Sequence, residues 1–239
     1  MTRQPAVNDP FAALAPAYEH WFDTALGAYI DQAEMAALDE LLPAPGNGSV
    51  IEVGAGTGHV SRHLAGRGFR MIAVEPSVAM RAAGQPRSAG LPIEWSAAVA
   101  EALPFEDDVA DGVLFFATLE FVRDPDAALR EALRITRPGG WLAVGLLHAL
   151  SPWAALYRHL ADQGEAPWST ARFFTPEDLA RRVGHPPIAT TGAVHLAPQA
   201  VPPYEDAERA GQRAGNAPAL QVLLFTTSST HRSRRGAAQ

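Results

Sequence analysis

The sequence predicts an α/β fold in which a mainly parallel sheet is wound with helices on both faces. Between residues 49 and 147, short apolar or β-branched runs alternate with helical stretches, a spacing that favours right-handed crossovers between parallel strands. A glycine-rich loop follows the first strand and opens a helix, an arrangement that forms a ligand-binding crevice in such folds. We therefore expect one doubly wound domain with a ligand site at its first strand.

The composition agrees with a single folded domain. The chain has 239 residues, of which 47 % are hydrophobic and 19 % charged, and this excludes general disorder. The formal net charge of −7 argues against a nucleic-acid partner, and the absence of cysteine excludes disulfides and cysteine-ligated metals. No apolar run is long enough to span a bilayer, and the N-terminus lacks the apolar core of a signal peptide. We expect a cytoplasmic protein without a membrane partner.

The elements can be assigned in order along the chain. Apolar residues recur at helical spacing from Phe11 to Leu42, which predicts one or two helices that end before Pro43. Strands are predicted at residues 49–53, 70–74, 92–96, 112–116 and 141–145, helices at 59–65, 77–83 and 125–135, and a turn at 138–140.

The chain after the fifth strand is harder to assign, and residues 151–170 are predicted to be irregular. A helix is predicted from Thr175 to about Val183, because Thr175 suits the N-cap and Pro176 the first helical position. Two further strands, at residues 188–196 and 220–227, flank a helix-compatible patch at 206–210.

The glycine loop has a spacing that separates it from two common nucleotide-binding motifs. Its glycines stand at positions 54, 56 and 58, whereas a dinucleotide fingerprint needs its third glycine at position 59, which is His59. The loop also lacks the lysine of a phosphate-binding loop. An NAD-dependent oxidoreductase is therefore disfavoured.

Two acidic residues indicate what the loop binds. Glu52 immediately precedes the loop, where a carboxylate would repel a pyrophosphate but would suit a positive amino group or a sulfonium. Glu75 ends the second strand, where an acid can accept hydrogen bonds from both hydroxyls of a ribose. Either acid alone could be an incidental polar residue at a strand end. The two together favour S-adenosylmethionine.

The chain resembles the class I S-adenosylmethionine-dependent methyltransferases, in the broad type 11 group that includes quinone-biosynthesis methyltransferases. The matching blocks are VIEVGAGTGHVSRHL (50–64), AVEPSVAM (73–80), the stretch from AEALPFEDD to WLAVG (100–145) and FFTPEDLARRVG (173–184). The resemblance implies a Rossmann-like seven-stranded sheet of order 3-2-1-4-5-7-6 with the last strand antiparallel. It also implies EC class 2.1.1, with S-adenosyl-L-homocysteine as the product.

The resemblance assigns most of the cofactor site. Glu52 and the loop backbone would hold the methionine end, and Glu75 the ribose. In this group an acid often precedes the Ala-Glu of A-E-x-L-P-F and binds the adenine amine; here that position is Val99, so the backbone near Ala100 and Glu101 must serve. The residues expected at the cofactor are Tyr18, Trp21, Glu52, Gly54, Ala55, Gly56, Thr57, Gly58, Glu75, Pro76, Ser77, Met80, Val99, Ala100, Glu101, Phe116, Ala117 and Thr118.

Two further groups of these residues have roles beside the sulfonium and over the cofactor. Residues 116–118, just past the fourth strand, should border the sulfonium. Tyr18 and Trp21 resemble the lid helix that covers the cofactor, although ordinary core packing explains two aromatic residues equally well. The whole of residues 1–45 is therefore interpreted as a helical lid.

A general base is needed if the acceptor is a hydroxyl or a carbon acid. Glu120, His148 and His159 are candidates, and His148 leads because it follows the fifth strand at the carboxyl edge of the sheet. A histidine in that position can equally be a structural hydrogen-bonding group. We expect no metal, because the sequence contains no clustered ligands near the acceptor region.

The acceptor is expected between the N-terminal helices and residues 146–175. Five aromatic residues there would suit a small organic or partly apolar acceptor, unless they only form a core. The function predicted is methyl transfer to such an acceptor by in-line displacement; the alternative is a cofactor-binding or regulatory protein without catalysis. The aromatic residues are Trp153, Tyr157, Trp168, Phe173 and Phe174.

The predicted organisation is one methyltransferase domain over residues 1–230, in a monomer or a homodimer. The lid at 1–45 precedes a cofactor-binding core at 46–147, and a substrate-side cap with the C-terminal strands occupies 148–230. Residues 231–239 are predicted to be a flexible tail.

Overall fold

Seven strands form one mixed sheet in the computed structural model, which describes residues 9–227. The strands are β1 (Ser49–Val53), β2 (Arg70–Val74), β3 (Ile93–Ser96), β4 (Ala110–Phe116), β5 (Thr136–Leu147), β6 (Ala189–Ala193) and β7 (Leu220–Thr226). They lie in the order β3-β2-β1-β4-β5-β7-β6. The first five are parallel, and β7 runs antiparallel to β5 and β6. The predicted order and the antiparallel last strand are confirmed.

Seven α-helices surround the sheet within residues 9–227. Five of them begin at a polar residue whose side chain accepts a hydrogen bond from a first-turn N–H, which satisfies groups that the helix itself leaves unpaired. The helices are α1 (Ala25–Leu41), α2 (His59–Gly66), α3 (Val78–Gly84), α4 (Pro125–Ile135), α5 (Pro152–Asp162), α6 (Pro176–Val183) and α7 (Tyr204–Arg213). Short 3-10 helices lie at Tyr18–Trp21, Gln85–Ser88 and Trp168–Thr170.

The two faces of the sheet carry different helices. Leu38 of α1, Leu64 of α2 and Trp153 of α5 belong to one apolar cluster, and α7 packs against it. Leu129 of α4 and Leu179 of α6 belong to the cluster on the other face. Because side chains alternate along a strand, successive residues of β5 feed the two clusters in turn. Helices α1 and α5 therefore share one face of the sheet, and α4 and α6 share the other.

The prediction of an irregular segment at 151–170 is wrong, because α5 occupies its first half. Ser151 caps this helix by accepting a hydrogen bond from the N–H of Ala154 (3.0 Å), and Pro152 stands at its first position. Trp153 and Tyr157 lie one turn apart and face the core together. A cap, a proline and an aromatic pair are local signals that could have predicted the helix.

Two other segments differ in detail from the prediction. The region from Phe11 to Leu42 becomes an α-helix only at Ala25, because hydrogen-bonded turns and the first 3-10 helix occupy residues 10–24. Residues 138–140, predicted as a turn, lie within β5, where Gly139 takes a positive φ of 76°. The predicted tail at 231–239, and residues 1–8 of the predicted lid, lie outside the described residues.

Candidate cofactor and acceptor site

The glycine loop is fixed by backbone hydrogen bonds and by positive φ angles. The N–H groups of Gly54 and Ala55 both donate to the carbonyl of Val74 (2.8 and 3.0 Å), which ties the loop to the end of β2. Gly54, Gly56 and Gly58 have φ angles of 76°, 56° and 75°, a region that favours glycine. A Cβ added at Gly56 would meet nothing within 4 Å, whereas one at Gly54 would strike the Thr118 side chain. The space beside Gly56 is therefore open to a ligand.

Glu75 joins the glycine loop to the loop after β2. Its Oε2 accepts a hydrogen bond from the N–H of Gly56 (2.8 Å) and its Oε1 from the N–H of Ser77 (2.8 Å). Burial raises the pKa of Glu75, and these two N–H groups partly oppose the rise. Each carboxyl oxygen has a second lone pair. The carboxylate can therefore still accept the hydroxyls of a ribose.

Glu52 is a buried acid at the end of β1, with 2 % of its surface exposed. Burial raises its pKa to about 7, against the hydrogen bond that it accepts from the Ser61 hydroxyl. A positively charged ligand would stabilise the carboxylate and lower this pKa. The pair of buried acids and the open space beside Gly56 fit the charged amino-acid end and the ribose of S-adenosylmethionine.

The chain just past β4 lies directly against the glycine loop. The hydroxyl of Thr118 donates to the carbonyl of Phe116 (2.9 Å) and lies 3.3 Å from that of Gly54. Ala117 has a φ of 47°, which is uncommon for a residue with a side chain, and its N–H donates to the carbonyl of Gly145 (2.7 Å). Such strained positions cluster at functional sites. The contact between Thr118 and Gly54 brings residues 116–118 beside the glycine loop.

The residues predicted to line adenine are only partly brought together. Ser77 caps α3 by accepting a hydrogen bond from the N–H of Met80 (3.1 Å). Both residues are buried, and Ser77 directly follows Pro76 in the loop after β2. Val99 is exposed, and the carboxyl of Glu101 accepts a hydrogen bond from the N–H of Asp124 (3.1 Å). The side chain of Glu101 is thus engaged with the start of α4.

Tyr18 and Trp21 have different surroundings, although both lie in the same 3-10 helix. Burial, followed by the nearby carboxyls of Glu34 and Glu75, raises the pKa of Tyr18 to about 12. By accessible surface, 38 % of the residue is exposed. Trp21 is 41 % exposed. The carboxyls that raise the pKa of Tyr18 include Glu52 and Glu75, the two acids predicted to bind the cofactor.

Helix α2 holds the N-terminal segment through residues that the sequence analysis did not assign. His59 Nε2 lies 2.7 Å from Asp31 Oδ1, and Phe22 stacks on the imidazole with 4.0 Å between ring centroids. Arg62 donates to the carbonyl of Thr57 and to the carboxyl of Glu19, both at 2.7 Å. The segment before α1 is therefore attached to the helix that the glycine loop opens.

The three candidate bases have different surroundings. His148 accepts a hydrogen bond at Nδ1 from the N–H of Leu150 (3.1 Å), and burial lowers its pKa, against the carboxylate of Glu177 in α6. Glu120 is fully buried and accepts from the N–H of Leu147 (2.7 Å), and His159 is exposed. His148 thus faces α6, on the side of the sheet opposite to α1 and α5. Its catalytic role stays a prediction.

Four of the five predicted aromatic wall residues form one cluster. Tyr157 stacks on Trp168 with 3.7 Å between ring centroids and 6° between ring planes. The ring centroids of Trp153 and Phe173 each lie 6.1 Å from that of Tyr157. Phe174 instead belongs to the apolar cluster on the opposite face, under the guanidinium of Arg182. We call Trp153, Tyr157, Trp168 and Phe173 the aromatic cluster.

Among residues 9–227, no group of three or more histidine, aspartate and glutamate side chains is arranged to hold a metal ion. No helix in that range combines the length and the apolar character needed to cross a membrane.

Several similar proteins are named as methyltransferases. Residues 51–144 match the family model described as "Methyltransferase domain". A demethylmenaquinone methyltransferase of Renibacterium salmoninarum is 34 % identical over 134 residues, which is 56 % of this chain and 55 % of that enzyme. An uncharacterised protein of Mycobacterium tuberculosis is 35 % identical over 178 residues, 74 % of this chain and 59 % of the relative. These matches span less than two thirds of each relative's length.

Solved structures share the fold over most of the chain. A Thermotoga maritima structure, described as an S-adenosylmethionine-dependent methyltransferase and "possible histamine N-methyltransferase", aligns with a TM-score of 0.71 at 27 % identity, over 92 % of this chain and 98 % of that one. A geranyl diphosphate C-methyltransferase of Streptomyces coelicolor aligns with a TM-score of 0.60 at 16 % identity, over 94 % of this chain and 86 % of that one, a likeness of fold alone. The chain carries the domain and the fold of the class I S-adenosylmethionine-dependent methyltransferases, which confirms the resemblance.

Proposed function

We propose that the protein is an S-adenosylmethionine-dependent methyltransferase that transfers a methyl group to a small organic acceptor by in-line displacement. The observation that carries this proposal is the pair of buried acids, Glu52 and Glu75, on either side of an open glycine loop. The named activities of the similar proteins, on a quinone precursor and in one description on histamine, support a small organic acceptor.

Each cofactor-binding residue has one role in this proposal. Glu52 holds the charged amino-acid end with the N–H groups of the glycine loop, and Glu75 holds the ribose. Ser77 and Met80 line the adenine. The bound cofactor supplies a methyl group on a positively charged sulfur, which is already activated for displacement.

The chain's own contribution to the reaction is to position the acceptor and to exclude water. Residues 116–118 border the glycine loop, so the acceptor must approach from the side that the aromatic cluster and Tyr18 cover. The 3-10 helix that carries Tyr18 is attached to α2 through Glu19 and Arg62, which keeps it over this side.

The test is calorimetric titration with S-adenosyl-L-homocysteine. Glu75→Gln should weaken binding by roughly 10- to 100-fold, because a hydrogen bond to a charged group contributes about 1.5–3 kcal/mol. Glu94→Gln is the matched control, since Glu94 is an exposed acid on the neighbouring strand β3, and it should bind like the wild type. Thermal unfolding of both variants separates lost binding from lost folding. Absence of binding to the wild type would overturn the proposal.

A second candidate is a cofactor-binding protein without catalysis. It is favoured by the position of His148, which faces α6, and by the engagement of Glu101 with Asp124. Turnover separates the two candidates. Cofactor binding without formation of S-adenosyl-L-homocysteine, over a panel of amine, phenol and quinol acceptors, would favour this second candidate.

A further inference from the structure

The chain just after β3 lies where the base of the bound cofactor would be. The glycine loop follows β1 and Glu75 follows β2, and β3 lies on the far side of β2 from β1. The N–H of Glu75 donates to the carbonyl of Ser96 (3.1 Å), which joins the end of β3 to the proposed ribose site. A base that extends from the ribose away from the methionine end therefore meets residues 97–101.

Residues 99–101 present backbone donors and no free acid to this base. Ala100 is 7 % exposed, and within residues 9–227 neither its N–H nor that of Glu101 has a hydrogen-bond partner. Backbone N–H groups that are shielded from water are normally paired. Val99 has an apolar side chain, and the carboxyl of Glu101 accepts from the N–H of Asp124 (3.1 Å). The unpaired N–H groups therefore suit an acceptor atom of a ligand, such as N1 of adenine.

Helix α4 holds the chain that continues from these residues. The N–H of Leu103 donates to Glu131 Oε2 (3.0 Å), and Arg134 donates to the carbonyls of Leu103 (3.2 Å) and Phe105 (2.8 Å). Ala100 and Leu103 also belong to the apolar cluster that α4 shares with the sheet. The position of residues 99–105 is therefore set by α4 and not by the strands on either side.

The guanidinium of Arg134 is itself fixed by two carboxyls. It donates to both oxygens of Glu131 (2.8 and 2.7 Å) and to Oδ1 of Asp107 (2.8 Å). The hydrogen bonds from Arg134 lower the pKa of Glu131, so the pair is ionised at neutral pH. Only a planar guanidinium can make this two-pronged contact and still reach two carbonyls, because a lysine has a single nitrogen.

We propose that Glu101, Glu131 and Arg134 are positioning residues, which hold the segment after β3 so that one of its backbone N–H groups donates to N1 of adenine. The inference rests on the proposed function and names what decides the choice of base. An acidic side chain could adjust to the base by rotating, whereas a backbone N–H moves only with the chain. Selectivity for adenine therefore depends on side chains that do not touch the base.

Exchange of adenine for hypoxanthine tests the backbone donor. N1 of adenine accepts a hydrogen bond, whereas N1 of hypoxanthine carries a hydrogen, so the backbone N–H would face a second donor. Both groups would then lie unpaired in a site shielded from water. The wild type should therefore bind S-adenosyl-L-homocysteine at least about tenfold more tightly than S-inosyl-L-homocysteine.

The experiment is calorimetric titration of the full chain with each of these two ligands. Arg134→Lys keeps the charge but loses the fork. It should weaken S-adenosyl-L-homocysteine about tenfold and S-inosyl-L-homocysteine no more than about twofold, so that the preference for adenine shrinks about fivefold. Arg130→Lys is the matched control, because Arg130 lies one turn earlier on α4, is exposed and has no side-chain partner within residues 9–227. It should keep both affinities.

A second variant and a second measurement separate positioning from folding. Glu101→Ala removes the contact with Asp124 and should also shrink the preference for adenine. In Arg134→Lys, amide hydrogens of residues 97–107 should exchange faster, while those of residues 49–58 should not change. The inference is overturned if the wild type binds the two ligands alike, if a folded Arg134→Lys keeps the wild-type preference, or if that variant weakens both ligands equally.

Thermal unfolding shows whether Arg134→Lys folds, and if it does not, the same criteria apply to Glu101→Ala. A wild type that binds neither ligand would overturn the proposed function instead. A wild type that binds S-adenosyl-L-homocysteine, with variants that leave the preference unchanged, would overturn only the positioning role.

Discussion

Glu120 is fully buried, and only one of its carboxyl oxygens has a hydrogen-bond partner within residues 9–227. Burial raises its pKa to about 7, against the N–H groups that donate to it. Oε1 ties the loop after β4 to the end of β5 through Leu147. Glu120 thus holds two adjacent strand ends together. Its ionisation costs free energy, because a charge is then buried without a partner of opposite charge.

Replacing Glu120 by Gln should stabilise the fold above neutral pH. The folded pKa is raised above the unfolded value, so the favourable contribution is fully present below about pH 4.5 and is lost as the pH rises through 7. The loss is on the order of 3 kcal/mol. Urea unfolding at pH 5 and pH 8 should show Glu120→Gln gaining relative to the wild type only at pH 8. Glu106→Gln, at an exposed site, should show no such change, and an equal effect in both variants would contradict the explanation.

At the residue scale, the sequence predicts what is local. The glycine spacing and the roles of Glu52 and Glu75 can be predicted from the sequence, because the loop and its flanking strands are short and consecutive. The environment of Glu34 cannot be predicted in this way, because a glutamate within a helix is usually exposed. Its partial burial, which raises its pKa to about 8, arises only when the chain folds.

At the scale of elements, capping decides how well each helix could be predicted. Thr175 and Asp178 form a reciprocal capping box, and the sequence predicts α6 from Thr175 together with Pro176. The segment before α1 is different, because its attachment to α2 depends on pairs such as Glu19 and Arg62 that no local pattern links. His148 was assigned to the correct end of β5, but the face that it occupies depends on α6.

Phe22→Ala should loosen the N-terminal segment. The substitution removes the ring that stacks on His59, so amide hydrogens of residues 18–24 should exchange faster, and S-adenosyl-L-homocysteine should bind several-fold more weakly. Hydrogen-exchange mass spectrometry and calorimetry measure the two effects. Val201→Ala, at a 72 % exposed position, is the control. Unchanged exchange in Phe22→Ala would show that the stacking does not hold the segment.

At the scale of the whole molecule, the strand order came from the family resemblance, because strand spacing alone allows several parallel orders. Three acids with raised pKa values, about 8 for Glu34 and about 7 for Glu52 and Glu120, are distributed over the interior. Each favours the folded state most below its unfolded pKa, and this advantage is lost as the pH rises through the folded value.

The empty protein should therefore lose stability between pH 6 and pH 9. Its Tm should fall by several degrees over that interval, as measured by scanning fluorimetry. The combined variant Glu34→Gln, Glu52→Gln and Glu120→Gln should show a flatter profile. A Tm that is constant or rises from pH 6 to pH 9 in the wild type would contradict this expectation.

His59 has a consequence for redesign of the cofactor specificity. It occupies the position where a dinucleotide fold needs glycine, and the same imidazole holds Phe22 and Asp31. An engineer who introduced a glycine at this position would also remove the contacts with Phe22 and Asp31. Exchange of one cofactor class for another would thus require new contacts between α2 and residues 19–31, so cofactor choice and the attachment of these residues depend on the same side chain.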